Sequence, residues 1–331
     1  MSDRNAYIAS VAAYAPQRVV TNAFFNDLLG EDVDTWLCNN VQIYERRWCA
    51  PEESVADLCE RASLLALERA GIRADELDLI ILATDTPEFV SPSTAAVVQH
   101  RLSARRAGTF DVNAACAGFV TALDIAAKYI QADPHYNKVL VVGGYAMSKY
   151  LNLEDKKTVT LFADGAGAAV LCAGEGRERG FVCSELRSKG EYHDWMGIYG
   201  GATRMPATAE LIANHGHQLQ FVKKFPKELN PEMWSDMAAG MCRRAGVKPQ
   251  DVQHYFITQI NINAIWETMD RLQTPRERAV TVMHHYGYTG SACIPMAFNQ
   301  AWEEQRVSPG DLCMFIGSGG GLAFAAALFR M

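Results

Sequence analysis

The chain has 331 residues, 49% hydrophobic and 21% charged, with a formal net charge of −7. This is ordinary for a globular protein with one large or two medium cores, and the acidic balance argues against a nucleic-acid partner. No run of 18 apolar residues occurs, so no membrane span is expected. The nine cysteines form no CxxC pair and no His/Cys cluster has ligand spacing, which points to reduced thiols in the cytoplasm and to no metal site. The first residues, MSDRNAYIASVAAYAP, lack the basic-then-apolar pattern of a secretion signal.

In chain order, residues 6–13 predict a strand closed by Pro16. Residues 20–50 form a mixed, polar excursion with Trp36 and the pair Arg46–Arg47, a surface that could touch a ligand. Residues 53–70 carry apolar side chains at helical spacing (Val55, Leu58, Ala62, Leu65, Ala66, Ala70), and Gly71 ends the helix. Residues 77–83, LDLIILA, predict a strand buried on both faces. Asp85 and Glu88 follow; solvated loop charges are the plain reading, a carboxylate near a subunit interface the sharper one. Residues 91–102 predict a second helix and 138–144 another buried strand. Residues 158–172 predict two strand segments joined by a Gly-rich turn. Residues 186–232, polar and aromatic, look like an insertion that could form a lid or tunnel wall.

Residues 110–128, FDVNAACAGFVTALDIAAK, organise the rest. A strand end runs into a small-residue turn, and Cys116 opens a helix. Unpaired N–H groups and the helix dipole there favour a thiolate, and the same N–H groups can hold an oxyanion. A nucleophilic cysteine that carries an acyl group and a buried structural cysteine are both compatible with this stretch.

The second half repeats the first. Residues 70–84 align without gaps on residues 245–259, an offset of 175, and residues 161–171 resemble residues 315–325. The expected division is 1–173 and 174–331, two duplicated halves of alternating strands and helices in an α/β protein.

The motifs DVNAACAGF around Cys116, FADGAGAAVL (162–171), ERRW (45–48), TQIN (258–261), YGYTGSACIP (286–295) and SGGG (318–321) resemble the thiolase-like condensing enzymes. They are most similar to β-ketoacyl-[acyl-carrier-protein] synthase III, over essentially the whole chain. The resemblance implies a thiolase-like fold of two α/β halves in five layers, usually a homodimer. It implies no permanently bound cofactor: an acyl group passes from a coenzyme A or carrier-protein thioester to Cys116, then to a second substrate. It also implies that the Gly320 N–H joins that of Cys116 in an oxyanion hole.

Family synthases use a His and an Asn for decarboxylation of a malonyl thioester. Thr258 and Tyr288 stand at those positions. A Thr hydroxyl is no useful base at neutral pH, and a phenol differs from an amide in reach and pKa. His285 and His193 are the candidate replacement bases, with His284 beside the first at the end of an expected strand; His254 reads as structural. At the coenzyme A site the resemblance assigns Trp36 as the aromatic platform, Lys156 as a retained positive charge, Asn40 where an Arg is usual, and Asn261 from TQIN. Lys224 remains of the carrier-protein patch, while Asn263 replaces an Arg. Ser91 stands where a bulky aromatic can limit the acyl pocket, leaving room for a larger acyl group.

Three functions follow. The first is an acyltransferase of fatty-acid-like or polyketide-type metabolism that loads Cys116 and passes the acyl group to a small-molecule acceptor without decarboxylation. The second is a carbon–carbon condensing enzyme with a non-standard base. The third is a non-catalytic partner subunit, against which the intact Cys116, DGAGA and SGGG segments count.

Overall fold

The computed structural model describes residues 4–331. Strand β1 (Arg4–Tyr14) precedes helix α1 (Val55–Ala70), β2 (Leu79–Ala83), α2 (Thr94–Arg101), β3 (Gly108–Val112), α3 (Gly118–Ala132), β4 (Lys138–Ala146) and β5 (Asp164–Glu175). The chain continues through β6 (Gly180–Ser188), α4 (Leu229–Ala245), β7 (His254–Ile257), α5 (Ile262–Arg271), α6 (Cys293–Glu303), β8 (Leu312–Gly319) and β9 (Ala323–Arg330). The first sheet has the order β1-β5-β4-β2-β3, the second β7-β8-β9-β6. Sheet membership therefore changes between Glu175 and Gly180.

Five layers result. Helices α1 and α2 cover the outer face of the first sheet, α3 and α6 lie between the sheets, and α4, with α5 beside it, covers the second. All five residues of β2 are buried, because helices cover both faces of its sheet. The two halves begin alike. Helices α1 and α4 both end in a left-handed glycine, Gly71 and Gly246, followed by a 3-10 turn (Ala74–Glu76 and Pro249–Asp251) and then a strand. The 175-residue offset therefore marks structural equivalents. They diverge at the next strand: the place of β3 is held in the second sheet only by a bridge from Ala279 to Tyr255.

Two local expectations need correction. The DGAGA segment is not a turn; it lies inside the single strand β5. A Cβ on Gly167 would come within 2.5 Å of the Pro295 Cβ, so the missing side chain is what lets α6 lie against the strand. The structural counterpart of β5 is thus β9, whereas SGGG ends β8 and turns the chain into β9, so residues 161–171 and 315–325 are not equivalent. Nor does Arg46 lie at the surface of the 20–50 excursion. Arg46 is fully buried, donates to the carbonyls of Val20 (3.2 Å) and Thr160 (2.7 Å) and to Asn22 Oδ1 (2.8 Å), and lies over the Phe25 ring. It pins the short hairpin Arg18–Thr21/Glu45–Trp48 to the body of the molecule.

Candidate active site

Cys116 sits in the 3-10 turn Ala115–Ala117, two residues ahead of α3, and is 3% exposed. Ala115 before it has φ +44°, a left-handed conformation that costs a non-glycine residue energy and sharpens the turn. The SGGG segment closes against this turn: a Cβ on Gly319 would stand 2.5 Å from the Cys116 amide nitrogen and 2.7 Å from the Ala114 oxygen. Only glycine allows the two backbones to approach this closely.

Cys116 and Gly320 line two cavities at once. The first, about 250 Å³, is lined by Asp85, Asn113, Tyr145, Met147, His193 and Met196 among others. The second, about 70 Å³, includes Thr258, Ile260, Tyr288, Ser318, Phe225 and Leu322. Their shared wall contains Met196, in the strand Met196–Ile198 that pairs with Leu219–Phe221. The 186–232 insertion therefore builds the wall of the site, as expected.

Burial, foremost, pushes the Cys116 thiol well above its ordinary range, and the nearby Asp85 carboxylate adds to this. Both act against the thiolate that a helix end would favour. Tyr288, which lines the second cavity with Cys116, opposes the shift. Tyr288 is itself buried, which drives its own pKa well above 10 and keeps it a donor. Its backbone is fixed to the Leu161–Ala163 segment by two hydrogen bonds of 2.9 Å. The phenol thus has a use that the comparison of residue types missed.

Thr258 reaches the second cavity, but its hydroxyl is engaged. It accepts from the Ser318 N–H at 2.9 Å and donates to the Ser318 oxygen at 3.4 Å. It acts as a clamp on β8 and not as a base. His193 lines the first cavity with Nδ1 3.2 Å from the Gly190 oxygen, an arrangement that puts the proton on Nδ1 and leaves Nε2 as acceptor. His285 is not brought to the site. It lies on the helical turn Met283–Tyr286, not at a strand end, its side chain is 68% exposed, and it faces Glu45 at 3.6 Å. His284 is tied to the Gln42 oxygen at 2.8 Å, and His254 to Asp311 at 3.2 Å.

Trp36 and Lys156 meet in a separate cavity of about 390 Å³ with Glu31 and Asp32, where Lys156 pairs with Glu31 at 3.0 Å. Trp36 is 53% exposed and offers an open ring face. Asn40 and Asn261 are not among the residues lining it. Asn40 donates to the Trp36 carbonyl at 3.0 Å, and its own carbonyl accepts from Asn263 at 2.6 Å. Asn261 Oδ1 caps α5 by accepting from the Asn263 N–H at 2.9 Å. These asparagines brace the platform. Glu88 is likewise structural, accepting from the Ala56 N–H at 3.1 Å.

Comparison with known proteins agrees with this geometry. Two family models match: 3-oxoacyl-[acyl-carrier-protein] synthase III over residues 110–190 and its C-terminal domain over residues 242–331. The chain is 36% identical to the β-ketoacyl-[acyl-carrier-protein] synthase III of Desulfitobacterium hafniense, covering 98% of this chain and 97% of that one. The chain belongs to the β-ketoacyl-[acyl-carrier-protein] synthase III family. A Roseiflexus member is 37% identical over 95% of both chains. In structure the chain matches the synthase III of Aquifex aeolicus (31% identity, TM-score 0.88, 98% and 100% covered). It also matches the priming β-ketosynthase of the R1128 polyketide pathway (27%, TM-score 0.91, 100% and 98% covered). The fold is accordingly thiolase-like, and the protein is a transferase of the synthase III type.

Asp85, which the sequence offered as a solvated loop charge or a carboxylate near a subunit interface, lies two residues after β2 and lines the first cavity beside Cys116. The carboxyl ends of parallel strands are where ligands bind in open α/β sheets, and Ala83 and Val112 are paired there. That signal was available in the residues 79–85.

Proposed function

We propose that this protein is a thioester-dependent acyltransferase working through Cys116, with coenzyme A or a carrier protein as the acyl donor. The sulfur forms a bond to the thioester carbonyl carbon, the donor's carbon–sulfur bond breaks, and the proton lost by the Cys116 thiol is taken up by the departing donor sulfur, which leaves as a thiol. The oxyanion is held by the Cys116 and Gly320 N–H groups, a contribution worth about 3–4 kcal/mol per donor in comparable sites. An acceptor then attacks the acyl-cysteine, its proton passing to His193 Nε2, and Cys116 is regenerated.

The observation that carries this reading is the position of Cys116 between two cavities, one of them also lined by the Tyr288 phenol, with no histidine at either usual base position. A committed Thr258 hydroxyl and a Tyr288 in the lining that Cys116 shares leave no donor pair for a malonyl enolate. Transfer to an oxygen, nitrogen or already acidic carbon nucleophile therefore fits better than decarboxylative condensation. Trp36 and Lys156 fit the adenine end of coenzyme A by stacking and charge. Phe89 and Val90 are exposed on the loop after β2 and suit an interface with a second copy, as in a homodimer.

The test is intact-protein mass after incubation with acyl-coenzyme A thioesters, beside Cys116→Ala. An acyl adduct absent from the variant is expected. Malonyl thioester added next should release no carbon dioxide. Release would favour the condensing reading, and no adduct from any thioester or carrier would return the protein to a partner-subunit role.

A further inference from the structure

Asp85 is held inward by its neighbours. Thr84 N–H donates to the Val112 oxygen at 3.1 Å, Thr86 N–H to the Thr84 hydroxyl at 3.0 Å, and Ala146 N–H to the Thr86 hydroxyl at 2.9 Å. Both threonines are buried. The loop between β2 and the following segment is thus tied to the ends of β3 and β4, and Asp85 projects into the cavity that Cys116 lines. Its Oδ1 is buried with no hydrogen-bond partner, and no cation acts on the carboxylate. Burial pushes its pKa up to about 6, so near neutral pH it is largely ionised with Oδ1 unpartnered among the described residues.

A half-buried carboxylate with one oxygen unpartnered is costly to cover further, and an alkyl chain laid against it would remove the remaining water without replacing its hydrogen bonds. A group that donates to it restores the lost interaction with charge assistance. The rest of the lining is mixed in the same way: Asn113, Tyr145, His193 and Tyr199 alternate with Met147, Phe162 and Leu219. Such a wall suits a compact acyl group that is apolar in body and carries a polar substituent.

We infer that Asp85 makes the first cavity selective for acyl groups bearing a hydrogen-bond donor, an amine or a hydroxyl, over plain alkyl acyl groups of the same size. This rests on the acyl-enzyme reading of Cys116. Asp85 is a specificity residue: it touches the acyl substituent, and the Cys116 sulfur exchanges one thioester for another with the donor thiol as leaving group.

The test compares acylation rates by intact-protein mass for 3-aminobutyryl-, 3-hydroxybutyryl- and butyryl-coenzyme A, with wild type, Asp85→Asn and Asp85→Leu. In the wild type one of the two substituted groups should outpace butyryl by about tenfold or more. That ratio should fall at least about tenfold in Asp85→Leu, with Asp85→Asn between the two. Butyryl reacting as fast as both, or a ratio that survives in the folded variants, overturns the assignment while leaving the acyl-enzyme intact. Labelling of the wild type by none of the three overturns both. Circular dichroism verifies folding of the variants; where neither folds, the wild-type ratio alone decides.

Discussion

Two turns open the two helices between the sheets, Ala115–Ala117 before α3 and Gly290–Ala292 before α6, with the same 175-residue offset that relates α1 to α4. Cys116 and Ser291 are equivalent within them. Cys116 faces two cavities, while the Ser291 hydroxyl is fully buried and donates to the Gly144 oxygen at 2.7 Å. The flanks differ in the same sense. By the same offset Asp85 corresponds to Ile260 and Asn113 to Tyr288, and the first of each pair lines the larger cavity, the second the smaller. One duplicated framework therefore supplies a carboxylate and an amide on one side of the sulfur and an isoleucine and a phenol on the other. The lesson is that duplication positions a site at the join of two halves, and the chemistry comes from where the halves cease to be alike.

The largest effect should come from exchanging roles within this pair. Cys116→Ala should abolish acyl adducts in intact-mass measurements. Ser291→Ala should retain them and instead lower stability by about 1–2 kcal/mol in urea unfolding, because the buried Gly144 carbonyl loses its donor. Next in size, Gly319→Ala should slow acylation by about 100-fold or more, since its Cβ collides with the Cys116 amide and displaces a hole donor.

Asp85 sharpens the contrast with Ile260 through pH. Its pKa is raised from 3.8 to about 6, so the folded chain holds a proton that the unfolded chain has released. Stability is greatest below pH 4 as far as this group is concerned and falls as pH rises through about 6, by up to ~3 kcal/mol. Unfolding of Asp85→Asn followed from pH 4 to 8 should lack that fall; an equal fall in both proteins would exclude Asp85 as its source. The smallest effect concerns the other flank. Tyr288→Phe removes the hydroxyl that opposes the upward shift of the thiol, so iodoacetamide labelling of Cys116 at fixed pH should slow by about tenfold. An unchanged rate would remove Tyr288 from any part in activating the thiol.

The local readings that held have local causes. The LDLIILA run, the helix at 53–70 with its Gly71 terminator, and the turn of Cys116 into a helix were all legible because periodicity, glycine conformations and buried runs are properties of neighbours in sequence. The 245–259 repeat was legible for the same reason. Those that failed depended on distant neighbours. DGAGA reads as a turn until Pro295 of α6 is seen packed on Gly167, and Arg46 reads as part of a surface excursion until Thr160 accepts from it. His284 and His285 read as strand residues because the missing counterpart of β3 leaves no trace in their own spacing.

By itself the sequence determined the α/β framework, its duplication, the family and the cysteine at the centre. Tertiary structure decided which side chains act there. It spent the Thr258 hydroxyl on Ser318, set Tyr288 in the lining that Cys116 shares, sent His285 to the surface, and left Asp85 Oδ1 without a partner among the described residues. Burial and hydrogen-bond partners set the protonation and availability of a polar group, and in this chain those partners come from segments far apart in sequence.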